Sequence, residues 1–157
     1  IPPGPGPFPG LLDMWGAGGG LIEYRSSLLA SHGYASLALE YFAASEMESA
    51  NIEFSYFETA FSIVRDHPQV MADRVGILGL SLGTAVAILL AAESSAVKPR
   101  CCVCISGSHF YPPGATLKDI FHILVRNAPK IRVDEDNCEI WRDMVLPITE
   151  DFSLKVD

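Results

Sequence analysis

The 157-residue sequence predicts an α/β domain in which a parallel sheet carries helices on both faces. Short apolar runs alternate with segments of helical periodicity, each about 10–15 residues long, and this alternation indicates consecutive β-α-β units. The composition is 49% apolar and 19% charged, which is typical of a globular domain and unlike a disordered chain. A glycine-flanked serine lies where a buried strand passes into a helix.

Four apolar runs are predicted as strands, at residues 8–14, 34–40, 75–80 and 101–106. The residues before the first run are rich in proline and glycine, which excludes a helix there. Because strands and helices alternate, the four strands are expected to pair in parallel.

Helices are predicted over residues 21–32, 52–66, 82–94 and 117–127. The second has the clearest pattern, since Phe54, Phe57, Phe61 and Val64 recur at three- and four-residue steps. In the first, Leu21, Leu28 and Leu29 lie near one face, and Gly33 is expected to stop the helix at its C-terminal end. Residues 128–157 have no clear period, and the acidic run at 134–136 is interpreted as a solvated turn.

The net charge is −8, and the 11 basic residues form no run, which argues against nucleic acid as a partner. The longest apolar stretch, 84–92, is far shorter than the roughly 20 residues of a membrane-spanning helix. No signal peptide is recognised in the sequence, but the chain begins at Ile1 rather than Met and opens within a run of proline and glycine. It is therefore interpreted as part of a longer protein, whose oligomeric state is left open.

The four cysteines fit no metal-binding or redox spacing, so no metal site is predicted. Cys101, Cys102 and Cys104 are expected to be buried on a strand as small apolar residues, and Cys138 to be a free thiol. Free thiols favour a reducing, intracellular setting, although cytosol, peroxisome and mitochondrion are not distinguished.

The motif at 79–83, Gly-Leu-Ser-Leu-Gly, predicts a nucleophile elbow of the α/β-hydrolase type with Ser81 as the nucleophile. In such an elbow the serine stands on a sharp turn, and small flanking residues let neighbouring backbones approach. The positive end of the following helix faces the charge that develops in the reaction. The alternative is a glycine-rich turn whose serine only caps the helix.

Two groups of backbone N–H donors are expected to form the oxyanion hole. One is the N–H of Leu82, and the other belongs to Trp15 or Gly16 in the glycine loop at 15–20. A dinucleotide-binding fingerprint is the rival interpretation of this loop, with Glu40 as the ribose-binding acid. It fails because Leu21 stands where the third glycine is required.

A serine nucleophile needs a histidine base oriented by an acid, and in this fold both follow the serine in the chain. Only His109 and His122 follow Ser81, and no acid between Ser81 and His109 lies at a strand end. The acid and the histidine are therefore expected beyond residue 157. Taken alone, the chain is expected to be inactive, and to be unstable because its sheet would end in an unpaired edge.

Several blocks of the sequence resemble the type I acyl-CoA thioesterases and bile acid-CoA:amino acid N-acyltransferase. The glycine-loop block, Pro-Phe-Pro-Gly-Leu-Leu-Asp-Met-Trp-Gly-Ala-Gly-Gly-Gly at 7–20, is the most specific, and the resemblance is good over residues 3–110. The matching segments are 7–30, 33–41, 56–60, 67–70, 75–83 and 104–108.

This resemblance implies a partial α/β-hydrolase catalytic domain over residues 1–157, which follows a β-sandwich domain in the whole protein. It implies that Ser81 attacks the thioester of a fatty acyl-CoA, that free fatty acid and CoA are released, and that no cofactor is needed beyond the CoA of the substrate. The alternatives are an acyl-CoA:amino acid N-acyltransferase and an inactive binding protein. The acyltransferase carries cysteine as nucleophile, so Ser81 favours hydrolysis. The family's Ser-Lys-Gly-Gly is Ser-Leu-Gly-Thr here, which leaves acyl preference open.

Overall fold

The structure, a computed structural model, describes residues 1–16, 20–41, 53–107 and 125–142, together with residues 119 and 122. The chain divides into two compact units, Ile1–His109 and Phe110–Asp157. The elements of the first unit are β1 (Phe8–Met14), α1 (Tyr24–Ser31), β2 (Ala35–Leu39), α2 (Phe54–Arg65), β3 (Val70–Leu80), α3 (Leu82–Glu93) and β4 (Cys102–Ile105).

The four strands of the first unit form one parallel sheet in the order β2-β1-β3-β4. The two central strands end side by side, with Met14 paired to Gly79. Loops that follow β1, β3 and β4 therefore meet at one edge of the sheet, which is where α/β proteins bind ligands. The predicted α/β class and the parallel pairing are confirmed.

The core lies between the sheet and helices α2 and α3. Phe57 and Phe61 of α2 are fully buried, as are Leu12 of β1, Ile77 of β3 and Leu90 of α3. Helix α2 buries one face at three- and four-residue steps, as its pattern predicts. It approaches β1 closely at Gly10, where an added Cβ would lie 2.8 Å from Val64 Cγ1.

The bounds of the predicted elements are confirmed to within a few residues, with two differences. Strand β3 begins at Val70, five residues before the predicted start, and is irregular there. Phe8 of β1 pairs with Val70 and Gly10 pairs with Val75, so β3 has three more residues than β1 between these two pairs and bulges at this point. Helix α1 begins at Tyr24, after Gly20 in the left-handed region with φ +76°. None of the described helices is long and apolar enough to cross a membrane.

The predicted burial of Cys101, Cys102 and Cys104 is wrong, and the leucines near one face of the first helix are also accessible. Leu21 and Leu28 are exposed, and α1 has no fully buried residue. Cys101, Cys102 and Cys104 are exposed because β4 is an outer strand of the described sheet, with β3 on its inner side. Neighbouring atoms nevertheless shield the Cys102 thiol partly from water, and this desolvation raises its pKa.

The second unit contains a short 3₁₀ helix, Ala128–Lys130, and an antiparallel hairpin of Arg132–Val133 with Glu139–Ile140. The described residues of the predicted helix 117–127 are helical. In the hairpin turn, Asp134 Oδ1 accepts the N–H groups of Asp136 and Cys138. The acidic run is exposed, so the prediction of a solvated turn is confirmed.

The packing of α2 gives a stability test. Replacing Phe57, which is fully buried, by alanine is expected to lower the free energy of unfolding by about 3–5 kcal/mol because it opens a cavity. The matched control is Ile63→Ala on the exposed face of the same helix, with an effect within about 0.5 kcal/mol. Urea unfolding of the full-length protein measures both, and equal losses would contradict the assigned core face.

Candidate active site

Ser81 stands alone between the end of β3 and the start of α3. Its backbone has φ 52° and ψ −114°, a left-handed conformation that non-glycine residues rarely adopt and that is concentrated at functional sites. Its N–H donates to the carbonyl of Ile105 at 2.8 Å, and its carbonyl accepts the N–H of Thr84 at 3.0 Å. The half-buried side chain makes no capping hydrogen bond, so the helix-cap alternative is wrong.

The two glycines of the motif are needed because backbones touch at these positions. A Cβ on Gly79 would overlap the Gly83 carbonyl and lie 2.7 Å from the N atom of Thr84. A Cβ on Gly83 would overlap the carbonyl oxygen of Met14 and lie 2.7 Å from that of Trp15. The first turn of α3 is therefore in direct contact with the chain that leaves β1.

Thr84 ties the elbow to the ends of two strands. Its hydroxyl, which is buried, lies 3.1 Å from the Gly79 carbonyl and 3.2 Å from the Ile105 carbonyl, and it can donate to either. Gly107, just after β4, packs against it, because a Cβ there would overlap Thr84 Cβ. Thr84 and Gly107 thus fix the position of Ser81 relative to β4, a role that sequence reasoning did not find.

The turn after β1 lies against the nucleophile. A Cβ on Gly16 would be 3.0 Å from Ser81 Cβ and 3.6 Å from Ser81 Oγ. Leu82 is the first residue of α3, and the first N–H groups of a helix have no partner inside it. The structure therefore places Trp15, Gly16 and Leu82 close to Ser81. These four are the site residues that the sequence predicts. Their role as oxyanion donors stays a prediction.

A polar network anchors the residues before this turn. Asp13 is buried in β1, and its carboxylate accepts hydrogen bonds from Arg25 Nε at 2.7 Å and from Ser26 Oγ at 2.9 Å. A second nitrogen of Arg25, Nη2, also donates to Asp13 and reaches the carbonyl of Met14 at 3.1 Å. The guanidinium lies 4.7 Å from the centre of the Trp15 ring, within cation–π range.

Tyr41 contacts the same turn from the end of β2. Its hydroxyl, in a largely buried side chain, donates to the carbonyl of Trp15. Burial raises the pKa of Tyr41 above its usual range, against a smaller lowering by Arg25. The phenol therefore stays protonated and remains a donor throughout the neutral range.

Among the described residues of the first unit, no histidine lies beside Ser81. His109 lies outside the described residues, and His122 is an exposed helical residue of the second unit. His32 and His67 stand just before β2 and β3, at the edge of the sheet opposite Ser81. The placement of the base and of the acid beyond residue 157 remains a prediction.

The elbow, the parallel sheet and the apposed glycine turn define an α/β-hydrolase fold. Solved structures agree: the chain resembles the α/β-hydrolase MGS-M1 from a Medee basin deep-sea metagenome, with a TM-score of 0.53 and 24% identity over 68% of this chain and 47% of that one. It also resembles the α/β-hydrolase GrgF from Penicillium sp. sh18, with a TM-score of 0.52 and 16% identity over 95% and 60% of the two chains.

Sequence comparison identifies the family. Residues 52–156 match the family described as BAAT / Acyl-CoA thioester hydrolase C terminal, and this chain belongs to it. It is 45% identical to the peroxisomal succinyl-coenzyme A thioesterase of Mus musculus over 70% of this chain and 26% of that protein. It is 38% identical to the mitochondrial acyl-coenzyme A thioesterase 2 of Mus musculus over 85% and 30%.

An acyltransferase is among the relatives as well. The chain is 40% identical to acyl-coenzyme A amino acid N-acyltransferase 1 of Mus musculus over 69% of its own length and 26% of that protein. The chain spans about a quarter to a third of the curated relatives it matches. The family resemblance seen in the sequence is confirmed.

Thr84 provides a test of the elbow. Thr84→Val keeps the shape but replaces the buried hydroxyl by a methyl group, so it should lower the free energy of unfolding by about 1–3 kcal/mol. Thr59→Val is the matched control, because Thr59 donates to the Ser55 carbonyl on the exposed side of α2. Urea unfolding compares the two, and equal losses would refute the special role of Thr84.

Tyr41 gives a prediction of pH dependence. Since its pKa is raised in the folded state, the unfolded chain loses this proton first as the pH passes about 10, the ordinary pKa of tyrosine. The stability that Tyr41 contributes is full below pH 10 and falls as the pH rises above it. The difference between the unfolding free energies of the protein and of Tyr41→Phe should therefore be constant below about pH 10 and shrink as the pH rises above it, whereas a difference that stays constant above pH 10 would contradict the buried phenol.

Proposed function

We propose that this chain carries the nucleophile of an acyl-CoA thioesterase that hydrolyses fatty acyl-CoA through a serine acyl-enzyme. The observation that carries the proposal is the strained backbone of Ser81, which lies at the sheet edge with Gly16 and Leu82 beside it. Relatives named as acyl-CoA thioesterases support the choice of substrate.

The proposed reaction has two steps, formation of the acyl-enzyme and its hydrolysis. A general base, still to be located, takes the proton of the Ser81 hydroxyl while Oγ attacks the thioester carbonyl carbon. The resulting oxyanion is held by the N–H of Leu82 and by that of Trp15 or Gly16. The C–S bond then breaks and CoA leaves with a proton. Water attacks the ester on Ser81 and releases the fatty acid, so CoA enters only as part of the substrate.

Helix α3 contributes to this chemistry through its position. It begins at Leu82, directly after the nucleophile, so its positive N-terminal end faces the developing oxyanion. Its first turn is almost entirely buried, which excludes water from one side of the site and strengthens the electrostatic interaction. Both effects stabilise the transition state rather than the bound substrate.

The second candidate is transfer of the acyl group to an amino acid, and the relative named as an N-acyltransferase favours it. Ser81 argues for hydrolysis, because an oxygen ester on serine reacts less readily with an amine than a thioester would. We place the protein inside the cell, because two of its relatives are named as peroxisomal and mitochondrial.

A serine-reactive fluorophosphonate probe tests the nucleophile in the full-length protein. Labelling is expected to disappear in Ser81→Ala and to persist in Ser27→Ala, which changes an exposed serine of α1. A fatty acyl-CoA substrate should then give free acid and CoA, with the rate lowered at least about 1,000-fold in Ser81→Ala. Labelling that survives Ser81→Ala would rule out this nucleophile.

Product analysis with added glycine or taurine separates the two candidates. Free fatty acid is expected as the main product in both the presence and the absence of the amino acid. An acyl-amino acid conjugate as the main product would establish the acyltransferase instead. A full-length protein that binds acyl-CoA but neither hydrolyses nor transfers the acyl group would be a non-catalytic binding protein.

A further inference from the structure

Two side chains from different elements hold consecutive carbonyl groups of the turn after β1. Arg25 Nη2, from α1, donates to the carbonyl of Met14 at 3.1 Å, and the Tyr41 hydroxyl donates to the carbonyl of Trp15. Both side chains are largely buried, Arg25 at 14% exposure and Tyr41 at 7%. Buried hydrogen bonds of this kind fix geometry because water does not replace them.

Holding these carbonyls also fixes the amides that follow them. In a trans peptide the C=O and the next N–H point in opposite directions, and both peptides here are trans. The N–H of Trp15 therefore points away from Arg25, and the N–H of Gly16 points away from Tyr41. Gly16 is a neighbour of the nucleophile, because a Cβ on Gly16 would lie 3.6 Å from Ser81 Oγ.

We propose that Arg25 and Tyr41 are positioning residues, which orient the oxyanion-binding amides toward Ser81 by holding the carbonyls of Met14 and Trp15. This inference rests on the proposed function. Neither side chain contacts the reacting atoms, and each acts through the backbone of the turn.

The surrounding residues explain why such positioning is needed. The turn contains Gly16, and glycine has the largest conformational freedom of any residue. No regular structure holds the described part of this turn, since β1 ends at Met14 and α1 begins at Tyr24. Arg25 is itself fixed, because the buried carboxylate of Asp13 accepts from its Nε and the ring of Trp15 lies under its guanidinium.

The experiment compares Tyr41→Phe and Arg25→Lys with two controls in the full-length protein. The control for Tyr41 is Tyr56→Phe, which also removes a hydrogen bond from a phenol to a backbone carbonyl, here that of Glu40 at 2.7 Å. The control for Arg25 is Arg65→Lys, which also removes a guanidinium that donates to a carboxylate, here that of the exposed Asp66. The lysine variant keeps the charge of Arg25 but loses the planar fork that reaches Asp13 and Met14 together.

An interaction realised only in the transition state changes kcat and leaves KM unaltered. Tyr41→Phe and Arg25→Lys are therefore expected to lower kcat for fatty acyl-CoA by about 10- to 100-fold, with KM within about 2-fold, as for a displaced catalytic group. Amide hydrogen exchange at Trp15 and Gly16 should become faster in both variants. The two controls should match the unmodified protein in kcat, KM and exchange.

Each readout can overturn the inference separately. Unchanged exchange at Trp15 and Gly16 would show that the two side chains do not hold the turn. Faster exchange with unchanged kcat would show that the turn is held but has no part in the reaction. Should Arg25→Lys not fold, Tyr41→Phe still gives both readouts. If the unmodified protein has no Ser81-dependent activity, the proposed function fails, and the exchange result alone decides whether the turn is held.

Discussion

The direct contact between two backbones at Gly83 is the constraint on which the site depends. The first turn of α3 touches the carbonyls of Met14 and Trp15, with no side chain between them. Gly79 and Gly83 also touch each other, which allows the tight turn that places Ser81 at φ 52°. The nucleophile and the turn that faces it are thus parts of one contact, and neither can shift without displacing the other.

Around this contact, polar groups replace apolar packing. Asp13 carries a charge into the centre of the sheet, where an unpaired carboxylate would be unfavourable, and Arg25 and Ser26 satisfy it. On the other side of Ser81, the buried hydroxyl of Thr84 links the carbonyl groups at the ends of β3 and β4. The region near Ser81 is therefore held by directional bonds, while the helices farther from it are held by burial of residues such as Phe57 and Phe61.

Local pattern predicted the strands, the helices, the nucleophile and the apposed glycine turn, because each depends on neighbours in the chain. The polar network was not predictable in this way: Arg25 in a short helix is typical of a solvated residue, and only the structure shows its partner. Asp13 within an apolar strand was the one available signal, since buried carboxylates need partners. The exposure of the β4 cysteines depends on strand order, which pattern alone does not determine.

Helix α1 has no fully buried residue, yet Arg25 and Ser26 join it to the buried carboxylate of Asp13 through hydrogen bonds. Its attachment consequently relies on the hydrogen bonds of two adjacent positions. Evolutionary drift can therefore alter outward residues of α1, such as Ser27 and Leu28, almost independently of the chemistry. Homologues could acquire different outer surfaces there, and different neighbours to contact them, while the same two residues preserve the architecture beneath.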